Sequence, residues 1–165
     1  RRQRQMCIRD RSRYVTAVAS GKKYNYQLMN KIVDADGKTV KKYKADYEDI
    51  SDTLTDSQWD ALHSGMRQVV STMDRFQGFD IPVAGKTGTA QQTGHANHGL
   101  FVGYAPYDDP EITIAVRIAN GYNSHNAATA ARNVISYYYK ETSMKDIKEM
   151  KAAGANGNIR NSVAD

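Results

Sequence analysis

The residues with the most evident chemistry are Lys86, Thr87, Gly88 and Thr89, within the run VAGKTGTAQ at positions 83–91. A lysine and two hydroxyl residues lie within four positions. Side chains alternate along an extended chain, so Thr87 and Thr89 fall on one side. Gly85 and Gly88 remove side chains, so another backbone or a ligand can approach closely. On an exposed sheet edge the segment would offer a cation, two hydroxyls and unpaired backbone N–H groups. That set suits a carboxylate together with a developing oxyanion. Composition alone equally describes an ordinary surface strand with a solvated lysine, so the surroundings must decide.

Other candidates are weaker. His95 and His98, spaced as His-x-x-His, could share a metal, yet no third ligand of suitable type lies nearby in the sequence. A loop between strands is their expected setting. His63, on the polar side of its helix, and His125, near a helix cap, are read as structural. Tyr137, Tyr138 and Tyr139 are expected to pack and to face solvent rather than form a stacking platform. No cofactor and no metal are expected.

The elements that must position Lys86 read as helix, three strands, helix. Thr55 and Gln58 form a Thr-x-x-Gln capping box, with Leu54 and Trp59 at the hydrophobic-staple positions. Trp59, Leu62, Met66, Val69, Val70 and Met73 then share one stripe of a 3.6-residue helix, and Gly78 and Pro82 punctuate its exit. Strands are expected over 83–91, 99–104 and 112–118. Leu100, Phe101 and Val102 are consecutive, as suits a strand covered on both faces. Ile112, Ile114, Val116 and Ile118 alternate with Thr113, Ala115 and Arg117. The connection from Pro106 to Pro110 suits a hairpin loop, making the last two strands antiparallel neighbours. Asn123 or Ser124 caps a terminal helix, whose stripe is Ala127, Ala131, Val134, Ile135 and Tyr138. Upstream, Tyr14 to Val40 reads as two short strands around turns at Ser20-Gly21-Lys22 and at Asp34 to Gly37. Residues 38–56 read as loop-rich.

A chain of 165 residues with 40% apolar content suits one domain, or part of a larger one, with a modest core. Its net charge of +5 is local: residues 1–13 hold six Arg and one Asp, which leaves 17 basic and 17 acidic residues elsewhere. No basic stripe marks the body as nucleic-acid binding. Residues 1–13 show no apolar period, break sharply in composition and resemble a translated sequencing adapter, so they are expected to be non-native. The sole cysteine, Cys7, lies within them, so no disulfide framework exists. Residues 141–165 read as a frayed helix and a polar, disordered tail. No apolar run approaches the roughly 18 residues of a membrane span.

Taken in order, VAGKTGTAQ, HGLFVGYAPYDDPEITIAVRIANG and an alanine-rich closing helix resemble the end of the transpeptidase domain of class B penicillin-binding proteins. AVASGKKYNYQLMNKIVDADGKTV resembles the family's segment just before the preceding helix. Lys-Thr-Gly is a signature of penicillin-binding proteins and β-lactamases alike. The resemblance covers residues 14–140, expected to be the C-terminal part of that domain. It implies an α/β fold of the α+β type, penicillin-binding and serine β-lactamase-like: a mostly antiparallel sheet with helices on both faces, here incomplete.

The resemblance further implies a parent that is a serine-type peptidoglycan D,D-transpeptidase. The parent would sit on the extracytoplasmic face of the bacterial membrane, anchored by an N-terminal membrane helix outside this chain. Its partners would be stem peptides ending in D-Ala-D-Ala, β-lactams and a cell-wall synthesis complex, with no nucleic acid. In that family a serine, followed three positions later by lysine, attacks the D-Ala-D-Ala end, and an amine from a neighbouring stem resolves the acyl-enzyme. Carried onto this chain, Lys86 and Thr87 would bind the terminal carboxylate, and Gly88 would let the substrate backbone lie along the strand. Thr89 would add a carboxylate contact and donate one oxyanion hydrogen bond from its backbone N–H. Ser20-Gly21-Lys22-Lys23 imitates Ser-x-x-Lys, but it is expected in a turn rather than opening a buried helix. Ser124-His125-Asn126 imitates Ser-x-Asn, but it follows the Lys-Thr-Gly strand and suits a helix cap. The nucleophile is therefore expected outside this chain, which alone would be inactive. A serine β-lactamase or β-lactam sensor and a non-catalytic scaffold module are the alternatives.

Overall fold

The computed structural model describes residues 7–149, built around an antiparallel sheet of three strands. The chain begins with α1 (Ile8–Ser20), then runs through four short strands, β1 (Lys22–Tyr24), β2 (Lys31–Val33), β3 (Thr39–Lys42) and β4 (Tyr47–Asp49). These form two separate ribbons, β1 with β4 and β2 with β3. Helix α2 (Asp56–Ser71) leads to β5 (Ala84–Gln92), β6 (His95–Ala105) and β7 (Ile112–Ile118), ordered β5-β6-β7. Helices α3 (Ser124–Tyr138) and α4 (Met144–Lys148) follow.

The central strand explains the layering. Phe101 and Tyr104 of β6 are three apart and so face opposite sides of the sheet. Phe101 is buried among Ala127, Ala128, Ala131 and Ile135 of α3, with Val70 and Phe76 closing that cluster. Tyr104 is buried with Val15 of α1 and Ala84, against Met66 of α2. The expected sheet with helices on both faces is thus what the apolar run at 100–102 produces. Alanines on α3 bring the helix close, and Gly99 shows how close: a Cβ there would sit 2.2 Å from the carbonyl oxygen of Asn123, which caps α3.

Several elements differ from the sequence expectation. Residues 14–20 are helical rather than extended, because α1 starts at Ile8 and buries Val15, Ala17 and Val18. Helix α1 runs across the compositional break at residue 13, and Arg13 donates to the carbonyl of Tyr24 and to Asn25 Oδ1. The turn at Asp34 to Gly37 does join a hairpin, with Gly37 at φ +81°. Part of the loop-rich stretch forms β3, β4 and a 3₁₀ turn at Ser51–Thr53. The capping box of Thr55 and Gln58 starts α2 as expected. Val134 and Tyr138, assigned to the buried stripe of α3, are exposed, whereas Arg132 is buried with its guanidinium over the Phe79 ring at 5.0 Å. The alanines leave space on that face for a long side chain whose charged end lies on an aromatic surface. The expected tail falls mostly on residues 150–165, outside the described residues; before it, α4 is capped by Ser143 and Asp146.

The Gly99 contact involves backbone that has no free rotation to yield. Gly99→Ala is expected to destabilise the fold by about 2 kcal/mol or more, read as a lowered midpoint of urea unfolding; an unchanged midpoint would refute this packing.

Candidate functional site

Lys86, Thr87, Gly88 and Thr89 lie together on β5, which pairs with β6 on one side and with no strand on the other among the described residues. Lys86 and Thr89 are exposed, Thr87 and Gly88 half-buried. Lys86 stands opposite Val102 and Gly88 opposite Leu100, on the face of α1 and α2. Thr87, opposite Phe101, and Thr89, opposite Gly99, share the α3 face, as alternation requires. The lysine Nζ donates to the Thr87 carbonyl at 2.9 Å. That carbonyl therefore reaches the open edge, and the two-residue repeat of an antiparallel ladder gives the Thr89 backbone the same orientation.

The two glycines of the segment play different parts. At Gly85 a Cβ would lie 2.5 Å from Phe101 Cζ and 2.7 Å from the Val102 carbonyl oxygen. Packing within the chain therefore demands glycine there, and no ligand is needed to explain it. At Gly88 a Cβ would meet only Leu100, at 3.5 Å, an ordinary contact. Nothing inside the described residues requires Gly88, and the space over it is open.

Both ends of β5 are tied down by side chains. Before the strand, Arg67 Nη1 of α2 donates to the Val83 carbonyl at 3.1 Å, and the Tyr107 N–H donates to the Pro82 carbonyl at 2.7 Å. After it, Gln92 Nε2 donates at 3.0 Å to both the Ala96 carbonyl and Asn120 Oδ1. His98 completes this knot. Its Nδ1 lies 3.0 Å from Gln92 Nε2 and accepts from the Asn120 N–H at 3.1 Å, and its Nε2 lies 3.0 Å from Arg117 Nη2. The expected loop for His95 and His98 is instead the first part of β6, with His98 buried opposite Ala90. No periodicity announces this knot, because its members come from three separate segments.

The imitations of other motifs have local explanations. Ser20 is the last residue of α1 rather than part of a turn between strands, and its Oγ donates to the Thr16 carbonyl at 2.8 Å. Lys23, three positions on, is paired with Glu48 at 2.7 Å. Ser124 opens α3, while Asn123 Oδ1 accepts from the His125 N–H at 3.0 Å and Asn126 Nδ2 donates to the Gly121 carbonyl at 2.9 Å. His63 faces inward rather than outward: its Nε2 lies 2.8 Å from the Val18 carbonyl and its ring meets Tyr104 edge-on. Tyr137 and Tyr138 are exposed, and Tyr139 OH donates to the Ala105 carbonyl at 3.3 Å.

On the Lys86 face, Tyr104 supplies no second acid or base. Burial, with the nearby Tyr107 adding to it, pushes its phenol up to about 12, so it stays neutral. An apolar cavity of about 440 Å³ between α1 and α2, walled by Tyr14, Val18, Leu54, Trp59 and Leu62, includes none of residues 86–89. No helix among the described residues is long and apolar enough to cross a membrane.

The model of the penicillin binding protein transpeptidase domain matches residues 11–136. The chain is 37% identical over 102 residues to the peptidoglycan D,D-transpeptidase MrdA of Acinetobacter baumannii, covering 51% of this chain and 15% of that protein. Against MrdA of Haemophilus influenzae it is 34% identical over 116 residues, covering 58% and 18%. In structure it is similar to the D,D-transpeptidase domain of a peptidoglycan glycosyltransferase from Eggerthella lenta. That match has a TM-score of 0.70 at 23% identity, over 81% of this chain and 32% of the other. The chain thus spans less than a fifth of the length of these curated relatives.

The contrast between the glycines is open to measurement. Gly85→Ala is expected to lower stability by about 1–3 kcal/mol while Gly88→Ala changes it by less than about 1 kcal/mol, compared by thermal unfolding. Equal losses at both positions would contradict the assignment.

Proposed function

This chain belongs to the penicillin binding protein transpeptidase family, and we propose that it forms the C-terminal wall of the active site of a serine D,D-transpeptidase. The observation that carries the reading is the free edge of β5, where Lys86, Thr87, Gly88 and Thr89 line an open margin with space above Gly88. In the proposed reaction a serine Oγ from elsewhere in the parent attacks the penultimate D-Ala carbonyl. The peptide C–N bond breaks, terminal D-Ala leaves with a proton, and an ester to serine remains. The amine of a second stem then attacks that ester, forming the cross-link and returning the serine.

Each residue has a distinct part in this reading. Lys86 and the Thr87 and Thr89 hydroxyls hold the substrate's terminal carboxylate by charge-assisted hydrogen bonds. Gly88 lets the substrate backbone lie against the strand. The Thr89 N–H, at the open edge, donates to the oxygen that becomes negative as the tetrahedral intermediate forms. A β-lactam presents the same carboxylate and carbonyl and acylates the same serine. Ser20 is not that serine in this reading, since it lies exposed at the last turn of α1 and its would-be lysine is held by Glu48.

The parent is proposed to act on stem peptides at the extracytoplasmic face of the membrane, within a cell-wall synthesis complex. Residues 1–13 are proposed to lie outside the native unit, and 14–140 to be its transpeptidase part.

Two measurements test this. A fluorescent penicillin should not label this chain covalently by itself; stoichiometric labelling of one of its serines would overturn the placement of the nucleophile. In the complete transpeptidase, Lys86→Ala should slow penicillin acylation about a hundredfold with little change in melting temperature. Acylation at the parent's normal rate would remove Lys86 from the carboxylate site.

A further inference from the structure

The knot around His98 lies at the far end of β5, on the face that carries Lys86 and Gly88. The ladder between β5 and β6 is regular from Ala84 to Ala90. It then shifts: Ala90 pairs with His98, and Gln92 pairs with His95. Between those pairs β6 advances three residues while β5 advances two, so β6 carries a bulge, a feature that loosens backbone pairing locally. The edge strand is therefore weakly held by its backbone two residues beyond Thr89. Side chains from β5, β6 and the segment after β7 supply the hold instead.

The chemistry of the ring determines how. His98 is buried and its contacts are with donors: Gln92 Nε2 and the Asn120 N–H at Nδ1, Arg117 Nη2 at Nε2. Gln92 presents its amide nitrogen because the same group must also donate to the Ala96 carbonyl. A neutral imidazole accepts at one nitrogen only. With its hydrogen on Nδ1 the ring would oppose the backbone N–H of Asn120, which cannot turn away; with its hydrogen on Nε2 it accepts from Asn120, and the exposed Arg117 side chain can turn its own N–H aside. Asn120 itself sits at φ +53°, a strained position for a non-glycine residue, so it needs such a partner to hold it.

We propose that His98 is a positioning residue: its Nδ1, as acceptor, clamps Asn120, whose Oδ1 in turn accepts from Gln92, and so fixes the end of β5 that carries Thr89. This rests on the transpeptidase reading for its effect on catalysis, but the clamp itself does not. An alternative is that the buried ring merely fills space.

Two variants separate the possibilities. His98→Asn keeps an acceptor near the Nδ1 position, whereas His98→Gln fills more of the volume but places its amide near Nε2. In the complete transpeptidase, His98→Gln should lower the rate of acylation by a fluorescent penicillin about tenfold or more, with His98→Asn within about threefold of the parent. Amide hydrogen exchange over residues 86–94 should quicken in His98→Gln and not in His98→Asn. Acylation and exchange in His98→Gln equal to or better than in His98→Asn would overturn the clamp in favour of space-filling. So would losses in both that simply follow their melting temperatures. A parent unreactive towards penicillin would count against the transpeptidase reading, and the exchange comparison would still decide the clamp.

Discussion

A strand that pairs on one side only must be held by something other than hydrogen bonds on its free side. For β5 that constraint shapes the whole described unit. Its paired side lies so close to β6 that Gly85 and Phe101 share one space. Phe101 in turn draws α3 down onto the sheet through a row of alanines. Arg67 from α2 fixes the approach to the strand, and the Gln92 and His98 knot fixes its exit. Because all these supports lie behind or at the ends of β5, its free margin keeps Lys86 and Thr89 exposed. Rigidity and openness there are two results of the same arrangement.

Much of this was legible in the sequence, and the reasons are specific. The capping box at Thr55 and Gln58, the apolar run at 100–102 and the alternation at 112–118 are local signals tied to backbone periods, and the structure follows them. The Lys-Thr-Gly-Thr segment fell on an edge strand as its residue types suggested. The failures came where tertiary contacts outweigh local pattern. Residues 14–20 carry Val, Thr and Ala in an order that suits a strand, yet burial of Val15 and Val18 against the sheet stabilises a helix. Val134 and Tyr138 share the angular stripe of α3, but they stand at one edge of it and lose the room against the sheet. Packing gave that room to Arg132 and Ser136.

The site was only partly legible for a similar reason. Lys86 announces itself because a cation, two hydroxyls and a glycine are adjacent in the chain. His98 does not, since its value depends on Gln92 six residues before it and Asn120 twenty-two after it. Gly85 and Gly88 look alike as letters, and only the position of Phe101 distinguishes one enforced by packing from one left free.

Those glycines also bear on heredity. Under antibiotic selection a population explores single substitutions, and most surviving lineages are those whose protein still folds. At Gly85, Gly99 and Gly103 any side chain would enter space within 3 Å of other atoms, including carbonyl oxygens of Val102, Asn123 and Ala84. In the proposed transpeptidase, escape through these three codons would be closed by folding before drug affinity is ever tested. The exposed margin of β5 carries no such packing limit at Gly88, so a change there is compatible with what is built.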